Sequence, residues 1–590
     1  MSAAWPARVL SHPKLGRWLA LLAVILSGPS LWVGFRLDDY VARFIYTDLP
    51  GAKQLYHAYT GGYGLATGDP RETLWQVEQG YAPWWVNPKL LTSLMRPLSE
   101  LSHQLDIALW PDTAALMHAQ SLFWLAMVVL IATRLYRDVL PVGVAGLAAV
   151  LLAFDHTHGY SVGYVPNRHA LITAVFALAC LDQHVRFRQL GQKSAGAWAA
   201  VLYVLTLLAG ESGLAIAAYL FAYACFVERG PVLRRALSFA PYLAITLVWR
   251  IAYQALGYGA RGSGIYIDPV REPAHFLHAA MERVPLLFLG QFFAPPAELY
   301  SILAPDQARL MLGCAIGFCV LLVAACWPIL RQDRLARFWA AGFFLSLLPA
   351  STTLPNNRQL LLASVGAMGL LAQLWQHYAP HIAQRRLTAA LSWRGALTAL
   401  LVGSHLFISP LMLPFTTSLI ALTAPVHRGV IGGGDEMVGR DAVFVTAPDI
   451  YAVKFVQLER RIAQKPLARR YRALSFGPQR VVLERDSERS LRLDYPQGLA
   501  DTAFMEMFRD SRVRMQPGEH VRLQGLDIEV LGTMPDGRLQ SVRFGFDTEL
   551  DSPQFRFYVW SEDGGFVPLR LPAIGARVEL AAAPVKLGLR

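Results

Sequence analysis

The stretch that decides the fold is LALLAVILSGPSLWVGF, residues 19–35, followed at once by RLDDY, residues 36–40. The run from Leu19 to Phe35 is long and apolar enough for a membrane-spanning helix, and Arg8, Lys14 and Arg17 ahead of it mark the cytoplasmic side. No small-residue cleavage site follows, so the segment reads as a retained anchor. Asp38 and Asp39 then stand at the far lip of the span. Charge at head-group depth is costly, which makes two adjacent acids there candidates for function; the plain alternative is a helix end in water.

Composition supports this reading throughout. The chain has 590 residues, of which 54% are hydrophobic and only 16% charged. Its net charge of +12 looks like a nucleic-acid footprint until it is located. Through residue 427 there are 30 Lys and Arg against 20 Asp and Glu, whereas beyond it the counts are 24 and 22. The excess belongs to the membrane part, where it is a positive-inside bias, and no nucleic acid is expected as a partner. Cys180, Cys225, Cys314, Cys319 and Cys326 all fall in apolar segments, which argues against a disulfide framework or a cysteine zinc site.

Eleven spans are predicted, near 19–35, 114–133, 139–155, 169–185, 196–211, 213–228, 237–254, 308–330, 338–352, 359–378 and 395–415. With the N-terminus inside, the basic clusters Arg134/Arg137, Arg186/Arg188/Lys193, Arg229/Arg234/Arg235, Arg331/Arg334/Arg337 and Arg385/Arg386/Arg394 all fall on the cytoplasmic side. A spanning 284–296 segment would reverse the later clusters, so it is expected to be interfacial or re-entrant. The fold class is therefore an α-helical polytopic membrane protein, residues 1–428, with exterior loops 36–113 and 255–307. Trp75, Tyr81, Trp84 and Trp85 in the first loop are expected at the head-group level.

After a joint at Gly432-Gly433-Gly434, residues 429–590 read as a β-rich, sandwich-like extracytoplasmic domain. Strands are predicted at 442–445, 480–483, 520–529, 538–546 and 554–559, with helices at about 450–464 and 501–509. Asp536-Gly537 and Asp563-Gly564-Gly565 offer hairpin turns. The basic stretch Arg460 to Arg472 is expected as a solvated face, with anionic head groups or saccharide as the second reading. Localisation follows as a multi-pass inner membrane protein with a periplasmic C-terminal domain.

Several short motifs occur in order along this topology. They are Asp38-Asp39 after the first span, Arg96-Pro97-Leu98 late in the first loop, and Phe154-Asp155-His156-Thr157-His158 running on to Pro166-Asn167-Arg168-His169. Glu211-Ser212-Gly213 and Asn357-Arg358 follow. Together they resemble the GT-C superfamily of membrane glycosyltransferases, and within it the protein O-mannosyltransferases of the transmembrane and tetratricopeptide-repeat type. The chain departs from that branch in lacking the repeats and in carrying Tyr160 where an acid is expected.

The resemblance implies a polyprenyl-phosphate sugar as donor, transfer to a saccharide or protein acceptor on the exterior face, and usually inversion. A carboxylate base must take the acceptor proton, a role for Asp38 or Asp39. Guanidinium groups suit the leaving phosphate, so Arg96 and Arg358 are donor-phosphate candidates, with Arg168, Glu211 and His158 as further substrate-binding candidates. Arg96 alternatively caps a helix, and Arg358 alternatively anchors at the interface. Asp155 and His156 are weak candidates for a divalent metal such as Mn or Mg, hydrogen bonding being the favoured reading. A lipid-linked saccharide transporter or flippase, or a noncatalytic envelope assembly protein, are the competing classes.

Overall fold

The structure is a computed structural model that describes residues 8–292, 295–383, 393–423, 435–499 and 503–583. Arg385, Arg386 and the glycines at 432–434 lie outside the described residues. The chain divides into two compact units. Unit 1 comprises residues 1–34, 95–256 and 268–420; unit 2 comprises 35–94, 257–267 and 421–590.

Unit 1 is a helical bundle of membrane type. Among the described residues, six helical runs are long and apolar enough to cross a bilayer: Leu15–Trp32, Ala114–Val139, Val165–Leu190, Val232–Ala255, Pro305–Gln332 and Trp393–Leu422. Val142–Ala153 and His156–Gly163 form a pair bent by 41°, and Lys193–Ala209 and Glu211–Val227 are shorter apolar helices. With Arg334–Ala350 and Leu361–Ala383, every expected span falls on a helix. Asp333 caps Arg334–Ala350 by accepting from the Leu335 N–H at 2.8 Å, and Gln373 holds its other oxygen at 2.8 Å. Most of the 284–296 segment falls on helix Pro273–Phe292, which is not among these long apolar runs. In that helix Arg283, Val284 and residues 286–292 are buried, with Leu286 and Leu289 against Met311 and Ala315.

Small residues let these helices approach closely, as membrane packing requires. Tyr219 donates to the Leu362 carbonyl at 2.8 Å, and the Gly366 N–H donates to the Tyr219 hydroxyl at 2.9 Å. A Cβ at Gly366 would lie 2.6 Å from that hydroxyl and 2.8 Å from the Trp339 carbonyl.

Unit 2 is built on three sheets. Gly64–Thr67, Leu91–Ser93 and Gly259–Arg261 form a small antiparallel sheet from the two long loops. A six-stranded antiparallel sheet runs Arg577–Leu580, Val481–Arg485, Ser490–Asp494, Leu539–Phe546, Leu526–Thr533, His520–Leu523. A four-stranded sheet runs Phe566–Pro568, Phe555–Trp560, Asp441–Phe444, Arg470–Ala473. In it Asp441–Phe444 is parallel to both neighbours, and helix Ile450–Ile462 makes the crossover to Arg470–Ala473. The β-rich expectation holds, and both proposed hairpin turns occur. The expected strand 520–529 is two strands, because Gly525 at φ 79° turns the chain between them.

Two readings of unit 2 change. Trp84 and Trp85 are core residues, not head-group anchors: both are buried among strands of residues 441–583, and the Trp84 indole donates to the Leu474 carbonyl at 3.0 Å. The basic stretch is tied down by acids. Arg460 pairs with Asp435, Arg469 and Arg470 with Asp441, and the buried Arg472 with Glu78.

Gly366→Ala should therefore destabilise the bundle by about 1–3 kcal/mol through overpacking, seen as a lower apparent Tm of the detergent-solubilised protein. Gly317→Ala, whose Cβ would meet nothing within 4 Å, should leave it unchanged or slightly raised.

Candidate active site

In unit 2 the chain turns sharply before helix Asp38–Ile45. Leu37 has φ 44° and ψ −114°, a conformation a branched side chain adopts only under strain. Asp39 closes this turn: its N–H donates to the Arg36 carbonyl at 2.9 Å, and its Oδ2 accepts from the Arg36 N–H at 2.7 Å. Asp39 is buried, whereas Asp38 is half-buried at the first helical position, where the helix dipole favours a negative charge. The two acids, indistinguishable in the sequence, thus have different environments.

The charge of Asp38 acts on Tyr59, Tyr451 and Lys454. Lys454, on helix Ile450–Ile462, is 3% exposed. Its Nζ sits 4.7 Å over the Tyr59 ring and 5.4 Å over the Tyr451 ring. Burial pushes the Lys454 amine down to about 8, against the opposing pull of Asp38.

Unit 1 brings other expected residues together. Arg96 precedes helix Pro97–Leu109 and makes no side-chain cap there. Its Nε donates to Glu211 Oε2 at 2.8 Å, while Glu211 Oε1 accepts from the Met95 N–H at 2.8 Å and from the Tyr253 hydroxyl at 3.3 Å. Glu211 therefore orients Arg96, and its carboxylate is not merely a solvated turn. His169 feels the charges of both Arg96 and Arg358, and its Nδ1 lies 3.5 Å from where a Gly210 Cβ would be. Arg358 follows Asn357 in a short helical turn, with its guanidinium carbon 5.7 Å over the Tyr160 ring. Tyr160 thus replaces the expected acid with an aromatic face.

Arg168 belongs to a different knot. It is fully buried, and Nη1 donates to Asp106 at 2.5 Å, to Ser102 at 2.9 Å and to Gln120. Nη2 donates to the Met117 carbonyl at 2.6 Å, and Nε to Ser121 at 3.0 Å. Every nitrogen of this guanidinium is engaged within the protein.

Asp155, His156 and His158 form a third group. Asp155 accepts from the Thr157 N–H at 3.0 Å and from Gln291 at 2.8 Å. The ring of His156 pairs with Ser409 at 2.8 Å and that of His158 with Ser364 at 3.1 Å. Both imidazoles stand 3.9 Å from the Asp155 carboxylate. These nitrogens are turned to hydroxyls. Among the described residues no cluster of three or more His, Cys, Asp or Glu could hold a metal ion.

Sequence reasoning missed Asp106, Gln120, Gln291 and Lys454, whose partners lie far away along the chain. Only Lys454 gave a signal: it interrupts the apolar run Ala452-Val453-Lys454-Phe455-Val456.

No protein-family model and no curated protein matches the chain. Among solved structures it is similar to the apo form of the Archaeoglobus fulgidus oligosaccharyltransferase, at 13% identity and TM-score 0.42 over 79% of this chain and 65% of that one. It is similar to AglB from Archaeoglobus fulgidus, in complex with an inhibitory peptide and a dolichol-phosphate, at 14% identity and TM-score 0.38 over 78% and 64%. It is also similar to ArnT from Cupriavidus metallidurans bound to undecaprenyl phosphate, at 12% identity and TM-score 0.39 over 76% and 84%. The chain spans just under two thirds of the archaeal protein's length.

Asp106→Ala should be strongly destabilising, because it leaves the Arg168 charge buried without its carboxylate; breaking such a pair typically costs about 3–5 kcal/mol. The expected readout is loss of folded protein from the membrane fraction, with Arg168→Met less damaging than Asp106→Ala.

Proposed function

We propose that this chain is a GT-C-type membrane glycosyltransferase that moves a sugar from a polyprenyl-phosphate donor to an acceptor hydroxyl on the exterior membrane face. The observation that carries this reading is the strained turn at Leu37, which presents Asp38 while Asp39 closes the loop behind it. Strain of this kind persists where surrounding structure holds it and gathers at working sites.

Asp38 is the base in this mechanism. Its carboxylate takes the acceptor proton as the acceptor oxygen attacks the anomeric carbon. The bond from that carbon to the phosphate oxygen breaks, and the polyprenyl phosphate leaves with the electron pair. Arg96 and Arg358 are assigned to the phosphate, where the fork of a guanidinium matches two oxygens as charge develops. Glu211 holds Arg96 through Nε and so fixes the plane of its fork. Arg168 and His158 act as scaffold in this reading, since Arg168 donates to Asp106 and the His158 ring pairs with Ser364. No step is routed through a metal.

The test is turnover in vesicles supplied with candidate polyprenyl-phosphate sugars, read as release of polyprenyl phosphate. Asp38→Asn should lower kcat by about 10²–10⁴-fold with donor binding retained, while Asp39→Asn should act mainly by loosening the turn. Arg96→Ala and Arg358→Ala should weaken donor binding as well, and Lys at either position should rescue only partly. Normal turnover by folded Asp38→Asn would overturn the assignment. The accompanying topology, N-terminus inside and C-terminus outside, predicts that a reporter fused after Arg590 is active outside the cytoplasm; a cytoplasmic signal would contradict it.

A further inference from the structure

An arginine side chain is long and rich in rotamers, so where its guanidinium rests depends on how firmly the backbone beneath it is held. At the turn that carries Arg358, every backbone polar group of Asn357 and Arg358 is engaged. The Asn357 N–H donates to Glu298 Oε2 at 3.0 Å, and the Asn357 carbonyl accepts from the Leu360 N–H at 3.0 Å. The Arg358 N–H donates to the Asn356 side chain at 3.0 Å, and the Arg358 carbonyl accepts from the Ser161 hydroxyl at 3.4 Å. Ser161 in turn accepts from the Asn167 amide at 3.0 Å.

Of these partners only Glu298 is an acid, and it comes from the separate helical turn Ala297–Ser301. The Asn357 side chain closes the same contact in the other direction. Its Oδ1 accepts from the Ala297 N–H at 3.1 Å, and its Nδ2 donates to the Gly290 carbonyl at 3.4 Å. A Cβ at Gly290 would lie 2.3 Å from that Oδ1, so glycine is what lets the two segments approach. A three-residue turn forms without help from a distant carboxylate. One committed to the N–H beside an arginine fixes where that arginine leaves the backbone. The Tyr160 ring, 5.7 Å from the Arg358 guanidinium carbon, narrows its rotamers further.

We infer that Glu298 is a positioning residue for Arg358: through the Asn357 N–H it fixes the turn from which the guanidinium reaches the donor phosphate, so that the side chain is ordered before the donor arrives. This rests on Arg358 binding that phosphate. It gives the turn Ala297–Ser301 a part in donor recognition, because ordering completed in advance is not charged against binding.

Two measurements on the full-length protein in detergent test the inference. The first is hydrogen–deuterium exchange of residues 356–359, which needs no activity. Glu298→Ala should speed it, whereas Glu298→Gln, whose amide oxygen still accepts, should stay near wild type. Unchanged exchange in Glu298→Ala would overturn the clamp whatever the enzyme does.

The second is equilibrium binding of farnesyl phosphate, a polyprenyl phosphate without the sugar. Glu298→Ala should weaken it by about three- to tenfold, the range that one net hydrogen bond carries. Glu298→Gln keeps the bond and removes the charge, so near-normal affinity there separates positioning from electrostatics. In an Arg358→Ala background Glu298→Ala should add nothing, because it acts through that guanidinium. Equal weakening with and without Arg358, Glu298→Gln as impaired as Glu298→Ala, or unchanged affinity in Glu298→Ala while Arg358→Ala binds weakly, would each overturn the positioning role. Binding that is absent from the wild-type protein, or that Arg358→Ala leaves unaltered, would instead overturn the phosphate assignment on which the inference rests.

Discussion

Arg168 has no exposure to solvent and is held by Asp106, Ser102, Gln120, Ser121 and the Met117 carbonyl. This knot joins helix Pro97–Leu109 to helices Ala114–Val139 and His169–Leu190. A charge removed from water must be compensated locally, and this requirement sets the position of the segment that begins at Arg96. With that segment fixed, Glu211 can meet Arg96 at 2.8 Å. The same constraint shapes the Asp155 group, where a buried carboxylate is answered by Gln291, a backbone N–H and two imidazoles.

Unit 2 solves the problem differently. Many of its arginines are answered by nearby acids, as Arg472 is by Glu78 and Arg469 by Asp441. Lys454 is instead seated against the Tyr59 and Tyr451 rings. Residues 35–94 therefore belong with the C-terminal strands: Trp84 reaches Leu474, and the Asn87 N–H donates to the Phe508 carbonyl at 2.9 Å. A loop that reads as a membrane-surface element in sequence is here part of a β-rich core.

What the sequence made legible follows from periodicity and charge. Long apolar runs located the helices of unit 1, and alternation located Leu539–Phe546 and Phe555–Trp560. Arg470–Ala473 escaped because its Arg-Tyr-Arg-Ala run reads as a charged face, although its arginines are satisfied by Asp441 and Glu78. The loop strands Gly64–Thr67, Leu91–Ser93 and Gly259–Arg261 escaped because three- or four-residue strands carry no periodic signal. Among the candidate residues, order along the chain singled out Arg96 and Glu211, which the structure brings together at 2.8 Å, and the Asp38-Asp39 pair. It did not separate Asp38 from Asp39, since that difference lies in backbone strain at Leu37, nor did it foresee the buried partners that Arg168 finds in Asp106, Ser102 and Ser121.

The account turns on a phosphate being recognised by Arg96 and Arg358. Its most direct test is a cryo-EM structure of the full-length protein in lipid with polyprenyl phosphate added. The account predicts phosphate density within hydrogen-bonding distance of both guanidiniums, with Glu211 still holding Arg96. Phosphate bound elsewhere, with Arg96 and Arg358 engaged only by protein groups, would contradict it.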